Sequence, residues 1–145
     1  MGAALGLKAW ATSLAIITLT TLGALLAYGV FASRSTRTTR GTLDYYLLID
    51  GDVKELPLYS PALASARFFY APGDSGPQIT GVSYCTHAEF DSAKAFYAVH
   101  FTHRVYSVTE ESWGVDYSRA ADRFTLTLAH DASCRSLITL EHHRY

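Results

Sequence analysis

The chain has 145 residues, 49% of them hydrophobic and 13% aromatic, and a formal net charge of -1. All thirteen acids lie after residue 40, so the larger part of the chain is acidic and offers no basic face to phosphates, which argues against a nucleic-acid partner. The two cysteines form no Cys-x-x-Cys-His and have no zinc spacing, which excludes covalent haem attachment and a cysteine-based zinc site.

The first element is the uncharged run from Ala9 to Ala32, AWATSLAIITLTTLGALLAYGVFA. It has no polar stripe and is long enough, as a helix, to cross the ~30 Å hydrocarbon core of a bilayer. The expectation is a single-pass transmembrane anchor over residues 1–32. A cleavable signal peptide ending at Val30-Phe31-Ala32 and a buried core helix are the competing readings. Trp10 and Tyr28 stand where interfacial aromatics are expected, and Gly and Ala leave room for close helix contact. Arg34, Arg37 and Arg40 follow the run. By the positive-inside tendency they draw the following domain to the cytoplasm, while contacts with lipid phosphates or partner acids would suit the other side.

Residues 33–42, rich in Ser, Thr and Arg, read as a tether, and residues 43–145 as one domain. Leu43 to Ile49 and Val53 to Tyr59 flank the turn Asp50-Gly51-Asp52 as a hairpin would, although the first segment equally suits a short helix. Ser65 to Tyr70 and Ile79 to Thr86 are strands separated by a loop from Ala71 to Pro77. Asp91 is placed to cap a helix that ends near Arg104. Strands follow at Tyr106 to Thr109, Val115 to Arg119, Phe124 to Ala129 and Leu137 to Glu141. Their alternation predicts a sheet with one packed and one wet face. The fold class expected is α+β: an N-terminal transmembrane helix, then a small antiparallel sheet packed on one helix.

Leu56-Pro57-Leu58-Tyr59-Ser60-Pro61 resembles the hydrophobic-Pro-x-Tyr-Pro opening of a small domain that recurs in bacterial exported lipoproteins and membrane-anchored proteins. In that domain a strand ending in Thr leads to an acid- or Ser-capped helix with a Phe-Tyr pair. A Gly-Trp and a terminal hairpin follow. Thr86, Asp91, Ser92, Phe96 and Tyr97 match in order, and Phe124 to Leu140 supplies the hairpin, while Val105-Tyr106 stands at the Gly-Trp position. The resemblance implies that fold and an extracytoplasmic setting, and no activity.

Chemistry-bearing residues are sparse. Cys85 and Cys134 sit at strand ends, compatible with a disulfide or with two free thiols. His100 and His103 share a helix face and are weak metal candidates, since a third ligand is not evident. His142 and His143 point to opposite faces of a strand, so at most one joins a cluster. Asp50-Gly51-Asp52 reads as a turn rather than a calcium loop. Glu110, Glu111 and Asp116 have no nucleophile beside them, and no catalytic residue, cofactor or metal is expected. The aromatic surplus suggests an interface, with Phe69, Tyr70, Trp113 and Tyr117 joining Trp10, Tyr28, Arg34, Arg37 and Arg40.

The function expected is a non-catalytic accessory subunit of a larger membrane complex, such as a respiratory or photosynthetic one. Its partners would be other membrane-protein subunits and membrane lipids. The alternative is a stand-alone, membrane-anchored binding or sensing module. Placement in the inner membrane is expected, with the domain slightly favoured on the extracytoplasmic side.

Overall fold

The computed structural model describes residues 3–62, 65–73, 76–131 and 134–145, with the side chains of Leu14 and of residues 16–31 described in the first helix. The chain divides into a unit ending at Arg34 and a second unit, Ser35–Tyr145. The first is a single helix, α1 (Ala3–Ala32). Its threonines do not break it, because Thr18, Thr20 and Thr21 donate their hydroxyl hydrogens to the carbonyls of Leu14, Ile16 and Ile17 at 2.8–2.9 Å. Leu14, Ile16, Leu19, Leu22, Leu25, Leu26 and Val30 are all exposed.

The expected membrane crossing is corrected here. Among the described residues, no helix is long and apolar enough to cross a membrane. The transmembrane and single-pass description of the chain is withdrawn.

In the second unit the elements are β1 (Thr36–Thr38), α2 (Leu43–Leu48), α3 (Gly51–Lys54), β2 (Arg67–Ala71), β3 (Gln78–Thr86), α4 (Phe90–His103), β4 (Ser107–Glu111), β5 (Gly114–Arg119), β6 (Asp122–Asp131) and β7 (Cys134–Arg144). The strands form one antiparallel sheet in the order β1-β2-β3-β7-β6-β5-β4. The expected small sheet on one helix behind an anchor is thus corrected to a mostly-β domain built on a seven-stranded sheet, with three helices. Several local features account for the difference. Thr36–Thr38, expected in the tether, pairs with Phe68–Tyr70 as an edge strand. The expected hairpin around Asp50 is two short helices instead. The Thr42 hydroxyl accepts from the Tyr45 amide at 3.3 Å to cap α2, and the Asp50 carboxylate accepts from the Asp52 amide at 3.0 Å to cap α3. Helix α4 starts from Glu89 with no side-chain cap, which leaves Asp91 inside the first turn rather than at the cap. Asp74 and Ser75 of the expected loop lie outside the described residues.

The core forms where one sheet face meets the helices. Phe68, Val82, Tyr84, Tyr117, Phe124, Leu126, Ile138 and Leu140 project from the sheet, and Ala93, Tyr97 and Phe101 from α4. Tyr45 and Val53 of α2 and α3 are buried too, with Tyr45 edge-on to Phe68 at 4.8 Å. Phe101 stacks on Tyr117 at 4.3 Å and tilts against Phe124 at 4.9 Å, which seats α4 over the β5–β6 half. Each such side chain contributes about 1.5–3 kcal/mol by leaving water. Cys85 on β3 and Cys134 on β7 are joined as a disulfide with their Cα atoms 5.7 Å apart.

Candidate functional site

Two places in the second unit gather polar or charged side chains. One lies on the helix-bearing face, where the α2–α3 turn meets the end of β7. Capping fixes the turn: the Asp50 Oδ1 holds the Asp52 amide, which frees Oδ2 to face the sheet. Alternation along β7 turns Leu140 and His142 inward together. His142 is 1% exposed and lies flat on Phe124, with ring centroids 4.2 Å apart and planes 2° from parallel. Its Nδ1 is 3.9 Å from Asp50 Oδ2 and its Nε2 is 3.5 Å from Asp122 Oδ1. Neither ring nitrogen has a hydrogen-bond partner. Arg144 reaches Asp50 at 2.9 Å and Asp52 at 3.9 Å, and Arg104 lies 3.9 Å from both Asp52 and Glu55. Donor atoms of Asp50, Asp52 and His142 all lie within 4.8 Å of one another.

The second place is the opposite face of the sheet, which no helix of this unit covers at β1, β2, β3 and β7. It holds a cleft of about 710 Å³ lined by Arg37, Arg67, Phe69, Ser83, Thr139 and Glu141, among others. Gly81 makes room there, since a Cβ at that position would collide with the Phe69 ring and with the Leu140 carbonyl. The Ser83 and Thr139 hydroxyls bond each other at 2.9 Å rather than a base. A smaller cleft of about 470 Å³ lies between Arg40, Leu58 and Phe68, with the Arg40 guanidinium 5.9 Å from the Phe68 ring centre.

The residues expected at an interface scatter. Arg37 and Phe69 meet in the large cleft, Arg40 lines the small one, and Trp113 is exposed at the β4–β5 turn. Arg34 and Tyr28 are exposed in the first unit, and the side chain of Trp10 lies outside the described residues. Tyr70 is buried in the core. Tyr117 differs outright from the expectation: it is fully buried because its strand turns it onto Phe101. His103 is exposed, whereas His100 is half-buried edge-on to Phe101 at 5.3 Å. Burial first, then the charges of Arg104 and His103, hold the His100 imidazole below its ordinary value. No third ligand joins this pair among the described residues.

The Asp50–Asp52–His142 group escaped sequence reading because its members come from distant parts of the chain. The signals were present separately: a capping Asp-Gly-Asp and a histidine of inward parity. No protein-family model, curated protein or solved structure matches the chain.

Proposed function

We propose that this protein is a non-catalytic accessory subunit of a larger protein assembly, docking through the open face of its sheet. The observation that carries the reading is the 710 Å³ cleft, where Phe69 on β2 stands in one cross-strand row with Arg37 on β1 and Glu141 on β7, and Arg67 lies two residues along its own strand. An aromatic anchor ringed by charge is the usual composition of a protein-binding hot spot. The apolar side chains exposed along α1 add to it, because a run of this kind is stable in the working protein only when another apolar surface covers it. The Cys85–Cys134 disulfide suits an oxidising, extracytoplasmic compartment, in keeping with the resemblance of residues 56–141 to exported domains.

The test is gentle isolation of the whole chain from its own cells. Partners in constant ratio, lost in the Phe69→Asp variant, are expected. A lone monodisperse protein would overturn the reading. A second reading, a stand-alone binding module, is favoured by the cleft volume, which falls within the ~300–1,000 Å³ of small-ligand sites. A ligand that raises the melting temperature of the wild-type chain, but not of Phe69→Asp, would select it.

A further inference from the structure

We propose that Asp50, Asp52 and His142 bind a divalent transition-metal ion of the zinc class, which clamps the α2–α3 turn to strand β7. The donor set is one imidazole and two carboxylates, suited to borderline ions at about 2.0–2.2 Å from each ligand atom. Their donor atoms, all within 4.8 Å of one another, lie close enough for one ion to be shared among them.

Acidic residues at a turn would not suffice, and the decisive feature is the histidine. A ring that is 1% exposed with both nitrogens unpartnered is a costly arrangement unless something completes it. Nδ1 faces Asp50 and Nε2 faces Asp122. A metal ion on Nδ1, with Nε2–H directed at Asp122, reproduces the carboxylate–histidine–metal arrangement in which an outer carboxylate orients the ligand ring. Phe124, parallel to the imidazole at 4.2 Å, fixes the ring plane.

The other charged groups at the site are consistent with this assignment. Arg144 lies 2.9 Å from the oxygen of Asp50 that the ion would use, and Arg104 lies near Asp52. Both supply positive charge that the ion replaces. The Arg144 side chain is 52% exposed and free to swing into solvent. Asp52, also partly exposed, gives the ion an open side for entry.

The test uses the full chain, made without a polyhistidine tag, stripped with a chelator and titrated with zinc chloride by calorimetry. The wild type is expected to bind one equivalent. Asp52→Asn is expected to weaken binding roughly tenfold or more, and Asp122→Asn by about 10–100-fold through the outer-carboxylate effect. Arg144→Gln is expected to bind at least as tightly as the wild type. Asp52 and Arg144 are partly exposed, so these variants keep the fold, which circular dichroism verifies. No binding by the wild type overturns the proposal. So does binding that Asp52→Asn and Asp122→Asn leave unchanged, which would put the ion on surface histidines. Weaker binding by Arg144→Gln also overturns it.

Discussion

The phenol oxygens of Tyr84 on β3 and Tyr97 on α4 lie 2.8 Å apart in the core. Tyr97 donates to the Pro57 carbonyl at 2.9 Å, and the Tyr59 amide donates to Tyr84 at 3.2 Å. One relay therefore ties sheet, helix and the Pro57–Tyr59 segment together. Tyr97→Phe strands the Pro57 carbonyl and leaves Tyr84 without its acceptor. It should cost about 1–3 kcal/mol, read as a lower urea midpoint at unchanged slope. An unchanged midpoint would remove the relay's structural role.

Val105 closes α4 with φ of 65°, in the left-handed region that a β-branched residue rarely enters. The Tyr106 amide donates back to the Phe101 carbonyl at 3.1 Å, the helix-ending bond that usually accompanies glycine there. The Val105 side chain is 79% exposed, so little packing is lost on removing it. Val105→Gly should stabilise the domain by about 1 kcal/mol, whereas Val105→Ala should gain less, since it keeps a Cβ. Thermal unfolding of the pair checks this, and a destabilised glycine variant would refute it.

The disulfide spans 49 residues and links the end of β3 to the start of its neighbour β7. Reduction, or Cys85→Ser with Cys134→Ser, should lower stability by about 2–5 kcal/mol by freeing the unfolded chain. Melting curves with and without reductant are the measurement. Coincident curves would show that the cross-link contributes nothing.

Alkaline pH should unfold the protein through its buried phenols. Burial raises the Tyr84 and Tyr97 phenols, and burial followed by the charge of Glu110 pushes Tyr117 up to about 12. An unfolded phenol ionises near 10, so above that pH the folded state binds more protons than the unfolded one. Stability is therefore complete below about pH 10 and is lost as pH rises toward 12. Phenolate absorbance should show a reversible wave from exposed tyrosines, then a second that coincides with loss of ellipticity. A single smooth wave from all ten tyrosines with the fold intact would refute this. The buried Tyr117 hydroxyl has no partner, so Tyr117→Phe should be neutral or stabilising at pH 7 and should soften the alkaline transition.

Strands and helix α4 could be read from the sequence wherever one face is packed and the other wet, as at 79–86 and 137–141. Reading failed where that contrast disappears. Strand β5 is not such a place: Val115 and Tyr117 alternate with Asp116 and Ser118, so the parity that buries Tyr117 against Phe101 is legible in the sequence. The edge strand β1 is Thr-Arg-Thr and carries no apolar signal. Asp50-Gly51-Asp52 suits a hairpin turn as well as a helix start, and only the capping bond to the Asp52 amide decides. The metal-ligand group needed the sheet register, which sets His142 opposite Phe124, before its distance from Asp50 could be known.

Strand β7 lies between β3 and β6, yet it follows both in the chain. During synthesis the three-stranded sets β1-β2-β3 and β4-β5-β6 can therefore form early, each with an unpaired inner edge. They become one sheet only after residues 134–144 leave the ribosome. Until then β3 and β6 are the segments most exposed to mispairing with other chains.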